Sequence, residues 1–177
     1  MNIKLGYGTG FQSADVPEKN IISILKPNPV ADTEAVSDIV ETALSNPICT
    51  SRLDEIVKPG EKIVIITSDI TRPMPTKDVL PHILNRLDSA GVSMNDVTLV
   101  FALGSHRHHN EDEMRKLAGD SYDRIRCVDS DPDDCIHLGY TSNGTPVDIT
   151  RIVADADRRI CLGNIEYHYF AGYSGGI

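Results

Sequence analysis

Three short polar segments concentrate the residue types that move protons and hold anions. They are Ser68-Asp69-Ile70-Thr71-Arg72, Gly104-Ser105-His106-Arg107, and Gly163-Asn164-Ile165-Glu166-Tyr167-His168. Imidazole trades protons near neutrality and also ligates metals. A guanidinium grips a carboxylate or phosphate through paired hydrogen bonds. Asp69 and Arg72, a charged pair in a loop that Pro73 should hold extended, suit an anion clamp. His106 is the histidine nearest a strand end, where geometry is best fixed. His106 and His168 together would give a two-histidine metal site, but their spacing is not diagnostic of one.

These segments share one topological position. Each follows a short apolar run of strand length: Lys62 to Thr67 (KIVIIT), Val97 to Leu103 (VTLVFAL) and Arg159 to Leu162 (RICL). Continuous apolar runs are typical of parallel strands buried on both faces. In open α/β sheets, ligands bind outside the carboxyl ends of the strands. The three loops are therefore expected to converge on one crevice.

The intervening elements support this placement. A helix is predicted from about Lys77 to Ser89, closed by Gly91, and another from Glu111 to Leu117, capped by Asn110. Ile125 to Val128 reads as a further strand. Cys135 to Tyr140 and Pro146 to Thr150 flank Ser142-Asn143-Gly144, a hairpin signal. Arg151 to Ala156 reads as a helical turn. Toward the N-terminus, Asn2 to Tyr7, Phe11 to Asp15 and Asn20 to Leu25 read as strands. Asp32 is the expected cap of a helix running to Leu44, and Ser51 to Val57 a short helix. The fold class is α/β: a mostly parallel, Rossmann-like sheet flanked by helices on both faces, with a small β-rich N-terminal segment.

Composition narrows the function. The chain has 177 residues, with 26 acidic against 17 basic side chains and a net charge of -9. That balance argues against nucleic-acid partners and anionic membrane surfaces. No apolar run approaches the roughly 20 residues that span a bilayer, and the start, MNIKLGYGTG, has no apolar h-region, so no signal peptide is expected. Cys49, Cys127, Cys135 and Cys161 form no CxxC pair, so they are expected to be mostly buried thiols in a reducing cytoplasm. A cytoplasmic location is the expectation. No GxGxxG, P-loop or GxSxG motif is present.

Plainer roles compete at each position. Asp69 and Arg72 could form a simple ion pair capping a helix. His168, between two tyrosines, could be a packed core histidine. His108 and His109 are expected in a solvated loop, and His82 and His137 in structural roles.

At these segments the sequence resembles the nickel-dependent lactate racemase family. The matching stretches are SDITRPMP (68–75), GSHR (104–107) and GNIEYHYFAGYSGG (163–176). The last is the most specific, and the order and spacing fit that family's N-terminal domain. The resemblance implies inversion of a 2-hydroxy acid at C2 with a nickel-pincer nucleotide. A histidine removes the hydroxyl proton while hydride passes to the cofactor and returns to the other face. His106 and His168 match the two catalytic histidines. Arg72 is implied in substrate binding, with Asp69 orienting it. Ser68, Asp69, Gly172, Ser174, Gly175 and Gly176 are implied at the cofactor, and no residue as a metal ligand.

In that family the cofactor-tethering lysine falls just beyond the position of Ile177. The 177 residues are accordingly expected to be a truncated N-terminal catalytic domain without its C-terminal domain. Such a piece should carry no cofactor and have no activity alone. It should expose Tyr167, Tyr169, Phe170 and Tyr173, with a disordered 170–177 tail or a homodimer covering them. The alternative is a non-catalytic α/β module that binds a nucleotide or small carboxylate.

Overall fold

The computed structural model describes residues 1–26, 28–29, 34–72 and 74–175. They divide into two compact units, Met1–Thr33 and Glu34–Ile177. In the first, β1 (Asn2–Tyr7) and β2 (Gly10–Asp15) pair antiparallel, with Tyr7 opposite Gly10. Gly8, at φ +58°, supplies the left-handed residue of the two-residue turn. The expected strand from Asn20 to Leu25 does not form; a single 3-10 turn at Glu18–Asn20 precedes irregular chain. Ile22 and Leu25 are fully exposed there. Apolar content makes no strand without an edge to pair with.

The second unit is built on four parallel strands in the order β5-β4-β3-β8. These are β3 (Ile63–Ser68), β4 (Val97–Ala102), β5 (Arg126–Asp129) and β8 (Arg158–Cys161). β3 is central, with Ile65 opposite both Leu99 and Ile160. Side chains alternate between the two faces of the sheet. Ile63, Ile65, Leu99 and Phe101 face α3 (Thr76–Ser89), which contributes Leu80, Ile83, Leu84 and Leu87 at helical spacing. Leu44 of α1 (Val36–Ser45), Leu53 of α2 (Leu53–Ile56) and Ala118 of α4 (Glu111–Ala118) join the same core. Val64 and Val100 point to the opposite face, against Val153 of α5 (Arg151–Ala154) and Ala156. Helices thus cover both faces, although α5 is only a single turn.

The buried strands lie within a residue or two of their expected bounds. Asn110 caps α4 through a reciprocal box with Glu113. β6 (Cys135–Tyr140) and β7 (Pro146–Thr150) form the expected hairpin. α1 begins later than expected, with Ala35 at its cap; the predicted Asp32 cap lies outside the described residues. Residues 170–175 are no disordered tail. β9 (Ile165–His168) and β10 (Gly172–Gly175) make an antiparallel hairpin instead. Backbone hydrogen bonding between the two arms supplies order that their side-chain composition does not advertise.

The cysteines also depart from expectation. Cys49 and Cys161 are exposed, while Cys127 and Cys135 are half-buried. Cys161 ends an edge strand and Cys49 sits in an open turn, so neither meets the core. Burial pushes the Cys127 thiol up to about 11. No helix among the described residues is long and apolar enough to cross a membrane.

Candidate active site

All three polar segments reach one cleft of about 560 Å³ at the carboxyl ends of β3, β4 and β8. That volume is in the range of small-molecule sites. Ser68, Asp69 and Arg72 line it from β3, His106 from β4, and Glu166, Ser174 and Gly175 from the hairpin.

The β3 wall is a tight turn. The Arg72 amide donates to the Asp69 carbonyl at 3.1 Å, so the chain reverses within four residues. Asp69 is buried there and Arg72 exposed, and both line the cleft. The Asp69 carboxylate is only 4% exposed. Its Oδ1 accepts from the Thr71 hydroxyl at 2.8 Å and the Thr71 amide at 3.2 Å. Its Oδ2 lies 2.5 Å from Nδ1 of His106. Burial pushes the Asp69 carboxyl up, but the hydrogen bonds from Thr71 and His106 outweigh it. The carboxyl is held below its ordinary value.

The β4 wall brings His106 to this carboxylate. Gly104 takes φ +58° and the His106 amide donates to the Leu103 carbonyl at 3.0 Å. The resulting turn returns the ring over the end of β3. An ionised carboxylate only accepts, so Nδ1 of His106 carries the proton toward Asp69. In the neutral ring, Nε2 is left with a free lone pair.

The third wall is the hairpin. Glu166 stands 3.6 Å from Arg72, both partly exposed. Ser174 pairs with Glu166 across the ladder. Gly175 adopts φ +98° with its Cα against the Asn164 carbonyl, where an added Cβ would overlap backbone. Only glycine lets the two arms close there.

The expected residues are brought together unequally. Ser68, Asp69, Arg72, His106, Ser174 and Gly175 share the cleft. Gly172, at φ +80°, opens β10 outside the lining, and Gly176 lies outside the described residues. His168 does not line the cleft. It lies on the same face of β9 as Glu166, one step of two residues farther along. Its Nδ1 accepts from the Ala171 amide at 3.2 Å, and its ring stacks on Tyr169. The ring's own proton in the neutral form is therefore on Nε2, the reverse of His106.

Two expectations are corrected. Asp69 does not pair with Arg72; its carboxylate holds His106 and Thr71, while Arg72 meets Glu166. His109 is not solvated, its side chain being 1% exposed and bound to Asp129. His108 is exposed as expected. His82 and His137 pair with Glu41 and Asp148 in structural contacts. Pro73 lies outside the described residues. Thr71, Glu166 and Asp129 were not singled out from sequence. Asp129 ends β5, so the strand-end rule that marked the other loops also points to it.

The cleft sets one guanidinium against the carboxylates of Asp69 and Glu166. Arg72 is its only Lys or Arg among the described residues, and Ser68, Ser105 and Ser174 add hydroxyls. Among the described residues, no group of three or more His, Cys, Asp and Glu side chains is placed to hold a metal ion.

Lactate racemase from Thermoanaerobacterium thermosaccharolyticum is 35% identical over 181 aligned residues, covering 99% of this chain and 42% of that protein. The lactate racemase of Lactiplantibacillus plantarum is 31% identical, covering 98% of this chain and 42% of that protein. This chain thus spans less than half the length of those relatives. The structure of the Thermoanaerobacterium thermosaccharolyticum lactate racemase apoprotein superposes with a TM-score of 0.77 at 34% identity, over 98% of this chain and 41% of that one. A Thermotoga maritima protein shares the fold, with a TM-score of 0.62 at 19% identity over 78% of this chain and 36% of that one. The family model described as the lactate racemase N-terminal domain matches residues 7–177, and the chain belongs to that family.

Proposed function

We propose that this chain is the N-terminal, proton-handling part of a racemase or epimerase of 2-hydroxy acids. The observation that carries the reading is the Asp69–His106 pair, set beside Arg72 in one cleft. Nε2 of His106 takes the substrate hydroxyl proton, and the Asp69 carboxylate steadies the imidazolium that results. Arg72, exposed and only loosely held by Glu166, clamps the substrate carboxylate. His168, on the cleft-facing side of β9, handles the proton at the opposite face of the reacting carbon.

A nickel-pincer nucleotide, when bound, would supply the hydride acceptor and donor that inversion at C2 requires. The cleft fits such a group by size and by its hydroxyl and glycine lining. Ser68, Ser174 and Gly175 would hold it, with Asp69 acting through His106. Tyr167, Tyr169, Phe170 and Tyr173 are all strongly exposed. We assign that aromatic face to the portion that the longer relatives have beyond this chain. The 177 residues alone are then inactive.

The test offers each lactate enantiomer separately to the longer protein, with His106→Ala and His168→Ala variants, and follows product chirality. Each loss should slow inversion about a hundred- to ten-thousand-fold. Inversion at the wild-type rate by either variant overturns the two-histidine reading. If the unsubstituted protein binds a nucleotide or carboxylate but inverts no 2-hydroxy acid, it is a binding module.

A further inference from the structure

His109 lies three residues beyond His106 and outside the cleft lining, yet its ring ties three elements together. Its Nδ1 lies 2.6 Å from Oδ1 of Asp129, the last residue of β5. Its Nε2 accepts the Ile70 amide proton at 3.1 Å. The ring packs edge-on against Phe101 of β4, with centroids 5.2 Å apart. The His109 amide donates to Oδ2 of Asp129 at 2.8 Å, and exposed His108 meets the same oxygen at 3.2 Å. Both His109 and Asp129 side chains are buried, at 1% and 6% exposure.

The chemistry of the ring follows from these partners. A nitrogen that accepts an amide proton cannot carry one, so Nδ1 is the protonated nitrogen and donates to Asp129. Asp129, fixed by the sheet, orients the ring as a second-tier carboxylate orients a ligating histidine. The oriented Nε2 then holds the peptide that directly follows Asp69. No backbone hydrogen bond of the sheet reaches the Ile70 amide, which lies two residues past the end of β3.

We infer that His109 is a positioning residue, a neutral Nδ1–H imidazole that pins the Ile70 peptide to β5 and so fixes the Asp69 carboxylate against His106. The pin concerns how the loop is held, and stands or falls apart from the substrate. Two side-chain atoms share the work, and they can be separated by substitution. His109→Gln places an amide oxygen near the Nε2 position and keeps the acceptor for Ile70. His109→Asn places a donor near the Nδ1 position and keeps only the link to Asp129.

The experiment is NMR on the 177-residue chain itself. In the unsubstituted chain, long-range nitrogen–proton spectra should show His109 as the Nδ1–H tautomer. A through-hydrogen-bond coupling should join the Ile70 amide to Nε2. In His109→Asn the Ile70 amide should exchange with solvent about fivefold faster or more, the effect of losing one hydrogen bond. Amides of Ile65 and Leu99 in the core should not change, and His109→Gln should restore the Ile70 protection. Finding the Nε2–H tautomer or no coupling in the unsubstituted chain overturns the inference, even if neither variant folds. So does equal protection of Ile70 in the Asn and Gln variants, or faster exchange spread uniformly over the core.

Discussion

Asp69 and His106 are joined at 2.5 Å although their environments are opposite, the carboxylate being 4% and the imidazole 45% exposed. The acid is anchored in the protein and the base reaches into the cleft. This arrangement fixes which ring nitrogen faces substrate, because a buried, fully hydrogen-bonded carboxylate has no freedom to exchange partners. Asp69→Asn keeps the shape but removes the charge that stabilises an imidazolium. On the proposed function, we expect the inversion rate to fall about a hundredfold or more, with KM changed far less. Steady-state kinetics checks the split. A variant with a wild-type rate and a raised KM would instead make Asp69 a binding residue.

The same carboxylate makes acid stability a probe of the loop. The folded carboxyl lies below its ordinary value, despite burial, because Thr71 and His106 hydrogen-bond its charged form. A folded value below the unfolded one stabilises the protein fully above about pH 4. The contribution disappears as pH falls through the lower, folded value. Thr71→Val removes the hydroxyl donor, so the Asp69 titration should move up and acid unfolding should begin at higher pH. Carboxyl-carbon NMR of Asp69, alongside circular dichroism against pH, reads both. Glu113 serves as an internal reference. Arg107 and the Asn110 amide hold it at about 2, and Thr71→Val should leave it there.

The parallel sheet was legible because Lys62 to Thr67 and Val97 to Leu103 are apolar on both faces, which few other environments accept. The convergence of loops followed from topology alone. Side-chain partners inside the cleft were not legible in the same way. The Asp69–Arg72 spacing suggested a pair, but Thr71 and His106 take up the Asp69 carboxylate while Arg72 meets Glu166. His109 looked like one of three loop histidines, and its burial depends on Asp129, twenty residues later in the chain. The Ile165–Gly175 hairpin was hidden because each strand is only four residues long and half of β10 is glycine, too little sequence for a period to show. Asn20 to Leu25 shows the converse, an apolar run that meets no partner.

Gly175 tests whether the third wall of the cleft depends on the closeness of the hairpin arms. Any side chain there meets the Asn164 backbone and is also strained at φ +98°. Gly175→Ala should cost about 1–3 kcal/mol and loosen Ser174 and Glu166 from the cleft. Urea unfolding and amide exchange of the hairpin read the change. Gly6→Ala is the control, since nothing lies within 4 Å of its added carbon. Equal effects at the two glycines would show that the hairpin tolerates a Cβ and that the wall is held elsewhere.

Arg72 and Glu166 set up a competition that substitution can reveal. Their 3.6 Å contact is partly exposed, and such pairs contribute little, about 0–1 kcal/mol. A substrate carboxylate that forms two parallel hydrogen bonds with the guanidinium should displace Glu166 readily. Removing the rival charge by Glu166→Gln should therefore tighten carboxylate binding severalfold. Arg72→Ala should weaken it about tenfold or more, and Arg72→Lys should recover only part, because an ammonium lacks the planar fork. Calorimetric titration with lactate against each variant measures the series, and raised salt should shrink the Glu166→Gln gain by screening. If Glu166→Gln weakens binding instead, Glu166 acts by holding Arg72 in place, and the guanidinium is presented to substrate by its partner rather than restrained by it.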